Sequence, residues 1–281
     1  MAKRERKSTR KVIDKRLKQG RGQGRGVDYQ PYLLVQDVPS QGLATRIRGW
    51  KTGREHHFLS LLECHYFFLL EWSPLIVDIR EQFPLDLDET RAIAADLGIR
   101  HPTDPRTREP VVMTTDFVNT IRRPIGVIEH ARTLKYAKDL ANSRVMEKFE
   151  IERVYWTARE VDWGIVTELD IDSAVVENIK WAHPFHDIST LAPLTADLIS
   201  SIADVLTPRA LAEDLPLRDL TAMCDEQFGL ADGASLTVVR HLLATRRWQV
   251  DMRRPIRVPE KIRLIATPEI STATAVIKKA G

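Results

Sequence analysis

The clearest alternation of apolar and polar positions runs through residues 111–140, VVMTTDFVNTIRRPIGVIEHARTLKYAKDL. It predicts two β-strands, over 111–118 and 125–135, with a turn at Arg122, Arg123 and Pro124. β-Branched residues crowd both runs, and proline fits a turn better than a strand interior. Alternation places Ile125, Val127, Glu129, Ala131, Thr133 and Lys135 on one face of the second strand. Asp116 on the first strand and Lys135 at the end of its neighbour then share one edge of a small sheet. A carboxylate that can hold a hard metal ion, beside an ammonium group, suits phosphodiester hydrolysis; the same pair also fits a solvated sheet edge.

The pattern around this hairpin supplies further elements. ATRIRGWKTGREHHFL reads as a short strand pair turning at Lys51-Thr52-Gly53, and a helix begins at Ser60. Ser60-Leu61-Leu62-Glu63 has the spacing of a capping box, and Glu63 shares a helical face with Phe67 and Leu70. Glu63 therefore either closes the cap or, as an inward carboxylate that needs a partner, holds a metal ion. LIVDIREQFPL predicts a strand with Arg80, Glu81 and Gln82 near the sheet edge, and residues 86–110 a surface connection with one short helix. An amphipathic helix follows over 143–160, with Val145, Phe149, Glu152 and Trp156 on one face, and then a strand over 162–167.

This order of helix, three strands, helix and strand predicts a mixed α/β sheet with flanking helices, the layout of a restriction-endonuclease-like core. After Glu168 the pattern turns helical over 174–181, 194–206 and 217–228, followed by SLTVVRHLLATRRW and a basic, two-strand-like QVDMRRPIRV. That reads as a winged-helix-like C-terminal domain whose helix-turn-helix serves either DNA or a protein partner. The predicted organisation is a basic flexible arm over 1–26, a catalytic domain over 27–168 and the winged-helix-like domain over 169–281.

Composition narrows the class. The 281 residues are 43% hydrophobic and 29% charged, enough for two domains with real cores. No apolar run approaches the length of a membrane span and no apolar signal region follows the basic N-terminus, so the expectation is a cytoplasmic protein without membrane contact. Cys64 and Cys224 have no zinc-ligand spacing and fit a reduced compartment. The net charge of +3 conceals eleven Lys and Arg within residues 1–26 against Glu5 and Asp14, leaving an acidic body. Such an arm either contacts a polyanion, most often nucleic acid, or merely solubilises the chain. Its end, GRGQGRG, has alternate glycines that suggest flexibility, and no Gly-Lys-Ser/Thr follows that would make a phosphate-binding loop. Adjacent His56 and His57 on a strand face opposite ways and cannot chelate together, and His183 and His186 flank a proline without the glutamate of a zinc motif.

Several segments carry a resemblance: GRGQGRGVDYQPYLLVQDVPS, KTGREHHFLSLLECHYFFLLEW, VDIREQFPL, TTDF, LKYAKDL and EKFEIERVYW, which together cover most of residues 20–168. In them the chain resembles the TnsA family, the endonuclease subunits of heteromeric bacterial cut-and-paste transposases; the C-terminal third matches only in layout. The resemblance implies that Glu63 and Asp116 are metal-binding carboxylates and that Lys135 is the catalytic lysine. The backbone carbonyl of Leu134 would complete the metal shell, with Mg2+ as cofactor and Mn2+ as a substitute. Thr133, an accessory position, stands where many related nucleases carry an acidic residue. The implied activity is hydrolysis at the 5′ ends of a mobile element, on transposon-end DNA at the nucleoid. The implied partners are a DDE-type transposase, TnsB, and an AAA+ ATPase regulator, TnsC, docking on the C-terminal domain. The arm residues Lys3, Arg4, Arg6, Lys7, Arg21 and Arg25 would hold DNA by its phosphates. The lack of charge at Thr133 leaves a second possibility, a catalytically weak adaptor that binds DNA and regulator on a nuclease fold.

Overall fold

A computed structural model describes residues 9–37 and 45–265, which divide into two units between Ile171 and Asp172. The first is built on a four-stranded mixed sheet in the order β3 (Ile76–Pro84), β4 (Thr114–Arg123), β5 (Gly126–Leu134) and β6 (Asp162–Val166). β3, β4 and β5 are antiparallel neighbours, whereas β6 runs parallel to β5 and is reached through helix α4 (Ser143–Thr157). A parallel return needs such a crossover, because a tight turn reverses the strand direction.

Adjacent strand residues send their side chains to opposite layers. Phe117 stacks on Phe58 of the small hairpin β1 (Thr45–Arg48)–β2 (Glu55–Phe58) and meets the edge of Tyr66 on α2 (Leu61–Trp72). Val118 and Ala131 join Leu85, Met113, Ile151, Tyr155 and Trp156 in the core beneath α4, with Ala94 from α3 (Leu87–Asp96). The central hairpin closes through Arg123 paired with Gly126, so the turn itself is Pro124-Ile125. Residues 111–113, expected within the first strand, instead bond to flanking loops: the Val111 amide donates to the Pro102 carbonyl, and the Met113 carbonyl accepts from Leu85.

The expectation of an arm flexible as far as Gly26 does not hold for its described part. α1 (Arg10–Lys18) is capped by Thr9 and buries Ile13 against Tyr32 and Val112. Gly22 and Gly24 have φ of +83° and +89°, and a Cβ there would lie 2.2 Å from Pro84 Cγ and 2.5 Å from the Asp28 carbonyl oxygen. These glycines serve left-handed turns and close approach rather than freedom. They lead the chain onto β3, where Tyr29 donates its hydroxyl to the Glu81 carbonyl (3.0 Å) and the Tyr32 amide donates to the Gln82 carbonyl (3.2 Å).

The second unit holds α5 (Ser173–Ala182), α6 (Ala196–Ala212), α7 (Leu217–Phe228) and α8 (Ala234–Ala244). The buried Asp225 carboxylate accepts the Gly233 and Ser235 amides at 2.8 and 2.7 Å and so ties the end of α7 to the start of α8. Where a two-stranded wing was expected, the described residues form a single antiparallel bridge between Val250 and Leu264. No helix among the described residues is long and apolar enough to cross a membrane.

Candidate active site

Asp116 and Leu134 sit at the open end of the β4–β5 hairpin, and the Leu134 amide donates to Asp116 Oδ2 at 2.6 Å. The neighbouring Lys135 amide bonds to Val166 of β6 instead. Successive peptide groups of a strand point to opposite neighbours, so Leu134 and not Lys135 turns its polar backbone toward β4.

Glu63 reaches the same end from the first turn of α2. Its backbone amide donates to the Ser60 hydroxyl oxygen (3.2 Å), while its Oε1 accepts from that hydroxyl (2.8 Å) and its Oε2 from the Leu59 amide (2.9 Å). The Ser60 half of the anticipated capping box is thus present, but the Glu63 carboxylate takes the Leu59 amide and the Ser60 hydroxyl in place of the Ser60 amide, and it keeps an inward orientation: the residue is only 7% exposed. The cap fixes the carboxylate that faces the sheet.

Gln82 acts on both acids. Its Nε2 donates to Glu63 Oε2 at 3.1 Å, and its side chain helps hold down the proton affinity of Asp116. Gln82 has φ of +50°, a region that residues with a Cβ adopt only when their surroundings impose it, at about 1–3 kcal/mol. The neighbouring Glu81 side chain is engaged elsewhere, buried with Arg54 and His56. The sequence places Gln82 at the sheet edge without assigning it a role; a conformational outlier leaves no mark in a strand-like pattern.

Charge is costly here. Burial, then the Asp116 charge, pushes the Glu63 carboxyl up to about 8 despite its three donors. Burial pushes Asp116 up to about 6, held from rising further by the Leu134 amide, Gln82 and the Lys135 ammonium. Lys135 therefore acts electrostatically on Asp116, while its Nζ lies 3.3 Å from Asp139 Oδ2.

Thr133 faces away from this pair, toward α4. Its hydroxyl donates to Glu152 Oε2 at 2.5 Å and accepts from Trp163 Nε1 at 3.3 Å. Thr115 also donates to Glu152 Oε2 (3.0 Å). Burial raises the Glu152 carboxyl to about 8, and the Asp116 charge adds to the rise. Glu152 is the third buried acid of this region. Its signal in the sequence is a glutamate on the same helical face as Val145, Phe149 and Trp156.

Of the expected DNA contacts, Lys3, Arg4, Arg6 and Lys7 lie outside the described residues. Arg21 is used internally, donating to the Tyr32 carbonyl (3.2 Å) and pairing with Asp37, so it is not presented to a ligand as the arm reading expected. Arg25 bonds Glu129 (2.7 Å) and Thr120 (3.4 Å) yet stays 62% exposed at its side chain.

Among the described residues no group of three or more His, Cys, Asp or Glu is placed to hold a metal ion. The donors that do converge, Glu63 and Asp116, are hard oxygen ligands. Two buried acids, both raised by burial and Glu63 raised further by the Asp116 charge, are the groups that a divalent cation would relieve, so the donor set fits such an ion.

Residues 73–168 match the TnsA-like endonuclease N-terminal family, and residues 170–252 the TnsA endonuclease C-terminal family. Transposon Tn7 transposition protein TnsA of Escherichia coli is 41% identical over 233 residues, covering 83% of this chain and 82% of that protein. The chain belongs to the TnsA family. It is a DNA endonuclease of transposition, and the mixed α/β sheet with its helical second unit fits a nuclease fold. Asp116, Lys135 and Glu152 lie within the matched TnsA-like N-terminal segment, whereas Glu63 precedes it.

Proposed function

We propose that this TnsA-family endonuclease hydrolyses the 5′ ends of a mobile element by a metal-assisted route, with Glu63 and Asp116 holding Mg2+ or Mn2+. The observation that carries this reading is the pair of buried carboxyls carried on α2 and β4, Glu63 bonded by Gln82 and Asp116 by the Leu134 amide, each raised in proton affinity. Mg2+ bound there would polarise the scissile phosphate and make a bound water more acidic. Gln82 orients Glu63, the Leu134 amide orients Asp116, and the Leu134 carbonyl faces the same neighbouring strand as that amide. Lys135, carried just beyond β5, aligns the attacking water or offsets the charge that develops on the phosphate, exchanging its contact with Asp139 for the substrate. Thr133 acts through Glu152 rather than on the metal ion.

We further read the helical unit as winged-helix-like, with α7 and α8 as the helix-turn-helix and the bridged segment 250–264 as a reduced wing. Its proposed partner is the ATPase regulator TnsC, and TnsB is proposed as the DDE-type transposase that acts on the other strand at the nucleoid.

Replacing Asp116 by Ala tests the site. Loss of 5′-strand cleavage by the assembled proteins, with an unchanged melting temperature, is expected. Cleavage at the parental rate by a folded Asp116→Ala protein would remove Asp116 from the site.

A further inference from the structure

The tip of the β4–β5 hairpin breaks two ordinary rules at once. Ile125 is fully exposed at a two-residue turn, where Asn, Asp or Gly is the usual choice. Val127 (63% exposed) and Ile128 (42%) continue the apolar surface along β5, and Leu75 (50%) joins from the chain that bonds Arg122. Exposed apolar residues in a contiguous group mark an interaction surface rather than ordinary surface scatter.

Charge identifies the occupant. Arg122 and Arg123 are exposed on the same turn, and among the described residues neither takes part in an ion pair or side-chain hydrogen bond. The acids nearby are already matched: Glu129 is bonded by Arg25 and Arg80, and Asp78 lies 3.6 Å from Arg80. A two-stranded ribbon with an apolar tip beside two exposed arginines matches a DNA groove, into which ribbons fit and where apolar wedges enter between base steps. Two unpaired cations suit a run of phosphates better than a protein surface of mixed charge.

We propose that the β4–β5 hairpin tip is a second DNA contact, Ile125 wedging into a groove while Arg122 and Arg123 bind the flanking phosphates. The placement relative to the cut rests on the active site proposed above. Asp116 and Arg123 are seven residues apart on one strand, a span of about 23 Å at the usual rise. A ribbon laid along the duplex therefore touches it roughly seven base pairs from the bond that is cut, taking about 3.4 Å per step.

The test uses the full-length protein and a fluorescein-labelled 30-base-pair duplex, with affinity followed over a salt series. Arg122→Gln/Arg123→Gln is expected to weaken binding and lower the slope of log affinity against log salt by about 2. Ile125→Ser/Val127→Ser is expected to weaken binding about tenfold at unchanged slope; both pairs are exposed, so melting temperatures should not move. Cys64 and Cys224 are buried, so a maleimide photo-crosslinker can be placed on Ile125→Cys alone. Crosslinks to nucleotides about seven base pairs from the cleaved bond support the proposal. Parental affinity and salt slope in both double variants would overturn it, as would crosslinks only to a protein partner in the assembled system. Asp116→Ala is expected to bind this duplex with the parental salt slope, so failure of the active-site assignment and failure of the hairpin contact are read separately.

Discussion

Thr133 donates its hydroxyl to Glu152 at 2.5 Å, so this neutral side chain of β5 is bonded to an acid on the helix behind it. The hydroxyl also receives the Trp163 indole N–H, which makes it the junction of β5, α4 and β6. Thr133→Val keeps the shape but leaves Glu152 one donor short and Trp163 without its acceptor. A loss of about 1–3 kcal/mol is expected by urea unfolding. A variant as stable as the parent would show that this junction adds nothing.

Gln82 separates strain from function. Gly accepts a positive φ without penalty, so Gln82→Gly relieves the backbone while it removes the amide between Glu63 and Asp116. The expected result is an unchanged or higher melting temperature together with at least tenfold slower cleavage. A Gln82→Gly protein that loses stability and keeps its activity would assign the residue to the fold instead.

The buried acids set a pH dependence of definite sign. Burial raises Glu63 to about 8, Asp116 to about 6 and Glu152 to about 8, all above their ordinary values. Such carboxyls keep their protons in the folded chain after the unfolded chain has lost them. Stability therefore falls as pH rises from about 4 toward 8. Glu81 acts the other way. Burial opposes its charge, but His56 and Arg54 hold it well below the usual carboxylate range, and the stability it contributes is lost as pH falls below about 4.5. The metal-free protein is expected to melt highest near pH 5, with each kcal/mol lost toward pH 8 lowering the midpoint by about 2–4 °C. Glu63→Gln, which cannot ionise, is expected to show a smaller fall. A flat profile from pH 5 to 8 in the parent would contradict the burial of these acids.

Much of the first unit is legible in its pattern. The helix start capped by Ser60, the crowded β-branched runs either side of Pro124, and the inward faces of α2 and α4 all follow local rules that the fold obeys. What stayed hidden is non-local. Alternate glycines look alike whether they supply freedom or left-handed turns, and only the approach of Pro84 and Asp28 shows which applies at Gly22 and Gly24. Arg21 looks like any basic-arm residue until Asp37 returns beside it. Gln82 enters the site through a φ that no periodicity encodes, and Glu152 through a helix that packs across the sheet to meet Thr133. In the second unit, Val250 and Leu264 make one bridge where a run of arginines and valines suggested two strands, since a short basic strand needs a partner that the local pattern does not reveal.

The central claim is that Glu63 and Asp116 act as one metal-binding pair, and Glu63→Gln addresses it most directly. Glutamine serves the same capping position and keeps one oxygen to accept from the Leu59 amide, while its amide nitrogen replaces the oxygen that accepts from Ser60, so the fold should lose about 1 kcal/mol. The measurement is calorimetric titration of Mn2+ into the full-length variant bound to transposon-end DNA, alongside 5′-strand cleavage by the assembled proteins. The account predicts that heat of binding and cleavage disappear together while the melting temperature moves by no more than about 2–4 °C. Parental Mn2+ affinity and cleavage in a folded Glu63→Gln protein would contradict it and leave Glu63 as a helix cap alone.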